Sequence, residues 1–311
     1  TRVDSGGPAA QAGVRPGWIL VTVGRDSVAA VVRRVRARPS VYRIETEAWG
    51  GVAGRLVTPP DSTVEVGLLD GADRPTRLRL VSVVAPGEPV RFGSLPTIFL
   101  RFEKERRAGP GGAAVGVLRF NAWMPPIMRQ LDAAVDSFRT MDGIVLDLRG
   151  NTGGLAAMMS GVAGHFLERR DTLGLMRTRQ MTLAIAANPR LVDTGARPVR
   201  PFAGPVAILV DEVSASASEA FAGGMRALGR VRVFGHRSMG AVLGARWDRL
   251  PNGDQLYHAV LAFDIHGANL EGTGVVPDEP VAVTREELRA GRDPVMEAAI
   301  RWIATQRRGA R

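Results

Sequence analysis

The chain of 311 residues has no cysteine, so disulfides and thiolate metal sites are excluded. Such usage suits an exported protein. Lysine is nearly missing too: Lys104 is the only one, and arginine supplies almost all of the net charge of +10. That charge would fit nucleic-acid binding, but aromatics make up only 5% of the chain and offer no stacking platform. The arginines are scattered rather than clustered, and a solvated basic surface accounts for them. No nucleic-acid partner is expected. No apolar run approaches the length of a membrane span. The four histidines, His165, His236, His258 and His266, show no His-x-x-x-His or similar ligand spacing, so neither a metal nor another cofactor is expected. There is no signal peptide, and Thr1 is not an initiator methionine, so an upstream segment is expected.

What is present is a strand, a tight turn and a helix around three serines. Val206 to Val210 is a continuous apolar run, the pattern of a parallel strand covered on both faces. Ser214, Ser216 and Ser218 follow, separated by alanines. Phe221, Met225 and Leu228 then recur at helical spacing. Ser216 with Glu219 makes the Ser-x-x-Glu pattern of a capping box, which stabilises a helix start by roughly 0.5–2 kcal/mol. The same position suits a nucleophile at a strand-to-helix turn, with the Ala217 amide and the helix dipole aimed at a bound carbonyl oxygen. The motif alone leaves both readings open.

In chain order, residues 1–84 form a first unit, β-rich and small. The run from Ser5 to Gly24 reads as a short helix, a glycine stop, a turn and a strand. Val64 to Leu69 and Arg77 to Val81 form a hairpin turning at Asp70-Gly71. Through Pro8-Ala-x-x-Ala12-Gly13 and Pro16-Gly17-Trp18-Ile-Leu this unit resembles a PDZ domain, although Trp18 stands where an aspartate is common. Residues 85–113 read as a linker bounded by proline and glycine, with Arg101 to Arg107 a solvated edge strand within it. From 114 to 311, strand, helix, strand, glycine loop and helix lead up to the serine turn. That alternation predicts an α/β domain with parallel strands. Ligands of such sheets sit beyond the carboxyl ends of the strands, where both Gly153-Gly154 and the Ser216 turn fall. Two helix N-termini there would form an oxyanion hole.

Four stretches in order carry a resemblance: Ile144-Val-Leu-Asp-Leu-Arg-Gly-Asn-Thr-Gly153-Gly154, Ser214-Ala-Ser-Ala-Ser-Glu219, Phe234-Gly-His-Arg-Ser-Met-Gly240, and Leu270-Glu-Gly-Thr-Gly-Val-Val-Pro-Asp278. Behind a PDZ-like unit, they resemble the C-terminal-processing (tail-specific) serine proteases. The resemblance implies a crotonase-like core of the ClpP/crotonase type, hydrolysis of peptide chains, and Ser216 as nucleophile. It places the oxyanion hole at Ala217 and Gly153 or Gly154. It implies a polypeptide substrate or peptide C-terminus as partner, and a periplasmic or secreted bacterial location.

One position departs from the family. The usual general base is a lysine just after the glycine matching Gly240, and here that residue is Ala241. Related tricorn-type proteases carry a histidine near the strand matching Val117 to Phe120, where this chain has Arg119 and Asn121. His236, at the end of the strand after the serine helix, is the one candidate base among the histidines, with a surface loop histidine as its other reading. Glu219 and Ser238 are expected in supporting positions, Ser238 to orient a base or substrate or simply to form a turn. A silent relative that binds extended peptides and an acyl-thioester enzyme of the same fold are the other readings; the second lacks a clear nucleotide-binding segment.

Overall fold

The structure, a computed structural model, describes residues 2–38, 40, 43–93 and 97–309. Thr1 and residues 94–96 of the expected linker lie outside these. The chain divides into two compact units, residues 1–85 with 282–294, and residues 86–281 with 295–311. Among the described residues no helix is long and apolar enough to cross a membrane.

In the first unit, strands Asp26–Ser27, Ile19–Val23, Thr63–Leu69 and Pro75–Val81 lie in that order in an antiparallel sheet. Alternation along Thr63–Leu69 buries Val64, Val66 and Leu68, which with Val23 make a small core. The hairpin turns at Asp70, whose carboxylate accepts the amides of Ala72 (2.7 Å) and Arg74 (2.9 Å). The boundary read from the sequence needs a correction, because Ala282–Pro294 belongs to this unit. Arg285 donates to the carbonyls of Gly17 (2.7 Å) and Asp70 (2.8 Å), and both Arg285 and Arg289 pair with Asp73. A helix start at Arg285 was not legible as belonging to a sheet more than 200 residues earlier.

The second unit holds a six-stranded sheet. Its order is Glu279–Pro280, Arg232–Gly235, Val206–Val210, Gly143–Asp147, Ala113–Phe120, Phe102–Gly109. All neighbours are parallel except the last pair. Every residue of Gly143–Asp147 and of Val206–Val210 is buried, so both faces of the sheet centre are covered. Leu118, Leu146, Ile208 and Val210 share one core with Ile127, Leu131 and Phe138, with Met159 and Val162, and with Phe221 and Met225. These come from helices Pro125–Ser137, with Phe138 as its C-terminal cap, Ala157–Gly164 and Ala217–Ala227. This is the α/β core that the alternation predicts. Residues 85–113 are not a linker: Phe102–Gly109 pairs along its whole length with Ala113–Phe120 across the turn Pro110–Gly112. The exposed charges Glu103 to Arg107 belong to an edge strand, and Pro89 lies in a further short strand, Glu88–Val90, paired with Ile98–Leu100.

The same unit holds an antiparallel sheet of Thr182–Ala187, Asp171–Arg177, Gln255–Asp264 and Gly244–Arg249. Its hairpin turns at Pro251-Asn-Gly-Asp254. Thr182–Ala187 was not legible as a strand, since it is exposed at each position before Ile185.

Asp147 ends the central strand Gly143–Asp147 and is 2% exposed. It accepts the Arg149 amide (3.1 Å), Arg149 Nε and Nη2 (both 2.8 Å), and Arg119 Nη1 (3.3 Å). Burial works to raise its pKa, and the two guanidiniums outweigh burial, holding the carboxyl below its ordinary value. The pair therefore stabilises the fold above the unfolded carboxylate pKa, and that contribution is lost as pH falls through the lower folded value. Urea unfolding should show Asp147→Asn with a flatter loss of stability towards acid than the parent. Arg149→Ala should cost about 3 kcal/mol at neutral pH, because it leaves a buried carboxylate short of its main partner. An unchanged acid limb in Asp147→Asn would remove this pair from the pH response.

Candidate active site

The parallel pairing of Gly143–Asp147 with Val206–Val210 brings residues 148–156 and 211–216 out at one edge of the sheet. Hydrogen bonds tie these two segments together. The Ala215 amide donates to the Asn151 carbonyl (3.0 Å), and Ser214 Oγ donates to the Leu148 carbonyl (2.8 Å). Asp211 Oδ1 accepts the Gly150 amide (2.9 Å) and, within its own turn, the amides of Val213 and Ser214. Burial raises the Asp211 pKa against these bonds.

The three serines separate by what their hydroxyls do. Ser214 is fully buried and bonded to Leu148. Ser218 is fully buried, accepts from Trp123 Nε1 (2.9 Å) and donates to the Asn151 carbonyl (3.1 Å). Ser216 is only half-buried, and its hydroxyl makes no capping hydrogen bond and has no hydrogen-bond partner among the described residues. Its backbone sits at φ 54°, ψ −119°. For a residue with a β-carbon, such a left-handed conformation costs of order 1–3 kcal/mol. The surroundings enforce it: the Ser216 amide donates both to the Ala241 carbonyl (2.8 Å) and to Glu219 Oε2 (3.1 Å). The Ser216–Glu219 pair has capping-box form, but the Glu219 amide bonds the Ser216 carbonyl (3.0 Å), so the hydroxyl makes no hydrogen bond through it. This is the geometry of a nucleophile elbow.

The glycine pair divides its work. The Gly153 amide donates to Asn151 Oδ1 (2.9 Å), so it is not free for an oxyanion. Gly153 matters through its bare α-carbon. At φ +99° a β-carbon there would fall 2.6 Å from Ser216 Cβ and 3.1 Å from the Ala217 nitrogen. Gly154 is exposed, and neither its amide nor that of Ala217 has an acceptor among the described residues. The loop is held by Trp123, whose amide donates to the Gly153 carbonyl (2.9 Å) and whose carbonyl accepts the Leu155 amide (2.8 Å).

Glu219 is fully buried and takes four donors. Oε1 accepts Ser238 Oγ (2.5 Å) and the Gly240 amide (2.7 Å), and Oε2 accepts the Ala241 amide (3.0 Å) and the Ser216 amide (3.1 Å). Burial raises its pKa, with all four bonds acting against that rise. Ser238 Oγ in turn accepts the Val275 amide (2.6 Å). The carboxylate thus joins the serine turn to the 238–241 loop. Gly240, at φ +79°, passes so close to residues 272–274 that a β-carbon would meet their backbone at 3.0–3.1 Å. Beyond it, Glu271 Oε2 accepts the amides of Val242 (2.7 Å) and Leu243 (3.0 Å).

Of the residues singled out in the sequence, Ser216, Ala217, Gly153, Glu219 and Ser238 come together, and Gly154 adjoins them in the chain. His236 does not join them. It is exposed, its Nε2 faces the Val281 carbonyl at 2.8 Å, and its Nδ1 lies 3.4 Å from Glu212 Oε2. The expectation of a base at His236 is corrected accordingly. Its strand ends at the right edge, but the ring turns to other partners. Lys104 stands exposed on the edge strand, opposite Leu118. Residues missed by sequence reasoning are Asn151, Trp123, Ser218 and Glu271. Asn151, Ser218 and Glu271 lay inside the quoted motifs, but nothing in their spacing marked whom they would bond. Among the described residues no cluster of three His, Asp or Glu side chains could hold a metal ion.

Two variants test this geometry. Ser216→Gly should be more stable than Ser216→Ala by about 1 kcal/mol in urea unfolding, because glycine relieves the positive φ. Equal stabilities would mean the turn holds no strain. Glu219→Gln puts an NH2 donor against backbone donors and should cost about 2 kcal/mol; a loss within ~0.5 kcal/mol would deny the carboxylate its joining role.

Comparison with known proteins follows the same lines. The family model described as "Peptidase family S41" matches residues 114–281, more than half of the chain. Among curated relatives, a chloroplastic C-terminal processing peptidase of Tetradesmus obliquus is 29% identical over 282 residues, 88% of this chain and 54% of that protein. Tricorn protease homolog 1 of Streptomyces coelicolor is 26% identical over 283 residues, 89% of this chain and 25% of that protein. The chain thus spans about half or less of the length of these relatives. Of solved structures, mature CPAF gives a TM-score of 0.66 at 14% identity, covering 95% of this chain and 78% of that one. The photosystem II D1 C-terminal processing protease gives 0.57 at 24%, covering 93% and 71%. These structures share the fold. The chain belongs to peptidase family S41.

Proposed function

We propose that the chain is a serine peptidase of the C-terminal-processing type, acting on polypeptide chains with Ser216 as nucleophile. The observation that supports it most is the left-handed Ser216, which presents an unpartnered hydroxyl beside the Ala217 amide. In this reading Ser216 Oγ attacks the scissile carbonyl carbon. The carbonyl oxygen takes up negative charge facing the amides of Ala217 and Gly154 at a helix start. Glu219 and Ser238 position the turn and the neighbouring loop. The relatives' names speak of C-terminal processing, and the substrate proposed here is accordingly a chain end. An extracytoplasmic setting belongs to the same proposal.

No side chain that could serve as base is hydrogen-bonded to the Ser216 hydroxyl among the described residues. The Ala241 carbonyl, at the position where the family resemblance implies a lysine, accepts the Ser216 amide, so the position is adjacent and its side chain is a methyl group. The proton of Ser216 then leaves to solvent, and hydroxide concentration governs the rate. The same observation favours a second reading, a peptide-binding relative without turnover.

Fluorophosphonate labelling separates the readings. The parent should be labelled at Ser216 and Ser216→Ala should not; equal labelling of both would remove Ser216 as the reactive group. Peptide hydrolysis should rise about tenfold per pH unit through neutrality, with no plateau. Ala241→Lys should raise the rate by about 10²-fold or more and introduce a plateau. His236→Ala should leave the profile unchanged. If Ala241→Lys stays inactive while peptides still bind, the binding reading holds.

A further inference from the structure

A pocket of about 680 Å³ lies between helix Pro125–Ser137 and residues 190–196 of the second unit. None of its lining residues belongs to the serine site. Two of them are arginines, Arg129 and Arg190, and its apolar wall is made by Ala133, Val192 and Ala196.

The charges are not balanced. Arg190 is held in place, its amide donating to the Gly164 carbonyl (2.8 Å) and its Nη1 lying 3.0 Å from Asp132 Oδ2. Asp132 is shared, because its Oδ1 is 2.7 Å from Nε2 of the fully buried His165. Arg190 Nε is buried and has no acceptor. Arg129, on the exposed side of the helix, has no carboxylate or carbonyl partner among the described residues. The one carboxylate in the lining, Asp193, is spent on its own turn. It accepts the amides of Gly195 (2.8 Å) and Arg197 (2.9 Å) and pairs with Arg197 Nε (2.8 Å). The turn is pinned to the helix, since the Thr194 amide donates to Asp136 Oδ2 (2.8 Å). Two arginines therefore line the pocket, and among the described residues the one carboxylate paired with either of them is Asp132, which is shared with a histidine. Val192 is left 50% exposed beside them.

We propose that this pocket binds an aliphatic carboxylate, with Arg129 and Arg190 holding the anion and Ala133, Val192 and Ala196 receiving a small apolar body. About one uncompensated positive charge matches a monoanion, and a guanidinium fork matches the two oxygens of a carboxylate. A polypeptide ending in a small apolar residue and a free short-chain acid both carry this chemistry. The proposal does not depend on Ser216, and its failure would leave the peptidase reading where it stands.

The test is titration of the full chain, carrying Ser216→Ala to prevent turnover, with three probes: a tetrapeptide acid ending in valine, the same peptide as its C-terminal amide, and isovalerate. The peptide acid should bind at least about tenfold more tightly than the amide. Arg129→Gln, an exposed change that removes no internal partner, should weaken the acid to the level of the amide. The same substitution in the Ser216 parent should leave fluorophosphonate labelling unchanged. Isovalerate binding as tightly as the peptide acid identifies a free acid as the source; weaker binding identifies a chain end. Equal affinity of acid and amide, full retention of acid binding in Arg129→Gln, or no acid binding at about 10 mM would each overturn the proposal. The Arg129→Gln arm also separates this pocket from any peptide site elsewhere in the chain.

Discussion

One buried carboxylate holds the serine site together. Glu219 sits at the third position of a helix, where the first-turn amides lack intrahelical acceptors and a carboxylate can reach back to the residue before the helix. Here its four lone-pair directions are filled by a hydroxyl and three amides from two separate segments. A carboxylate so enclosed is unfavourable to bury and favourable to hydrogen-bond, and the first effect wins in its acid–base balance. The consequence is structural. Ser216 and residues 238–241 cannot separate without stranding that charge, so the left-handed serine is over-determined rather than merely tolerated.

Parallel pairing supplies the frame for this. Gly143–Asp147 and Val206–Val210 run together, so their following loops must meet, and Asp211 and Asn151 each use that meeting to satisfy backbone groups of the other loop. The amide of Gly153 is consumed within its own loop, by Asn151 Oδ1, which leaves Gly153 with a steric role and Ala217 and Gly154 with the open donors. The loop carrying Ala241 is anchored on both sides, at Glu219 and at Glu271. Its backbone is therefore fixed beside the serine turn, whatever side chain that position carries.

Much of this was legible in the sequence where local pattern and final environment agree. Val206 to Val210 reads as a buried strand because it is apolar throughout, and it is buried throughout. Ser216 could not be assigned from its motif, since a cap and an elbow share Ser-x-x-Glu; only the backbone angles and the idle hydroxyl part them. His236 misled because a strand end fixes where a residue lies but not where its ring points. The stretch from 85 to 113 reads correctly as an edge strand at Arg101 to Arg107, but the prolines and glycines around it suggested a linker where the chain belongs to the second unit. The Ala282–Pro294 excursion was invisible, because its partners are arginine contacts to carbonyls and a carboxylate far away in the chain.

The closeness of Gly153 to the β-carbon of Ser216 also restricts what the facing loop can carry. Any side chain at residue 153 would press its first carbon onto the Ser216 side chain and the Ala217 nitrogen, at a backbone angle that already favours glycine. Room beside the Ser216 hydroxyl is thus reserved from across the loop, by a residue that has nothing to put there.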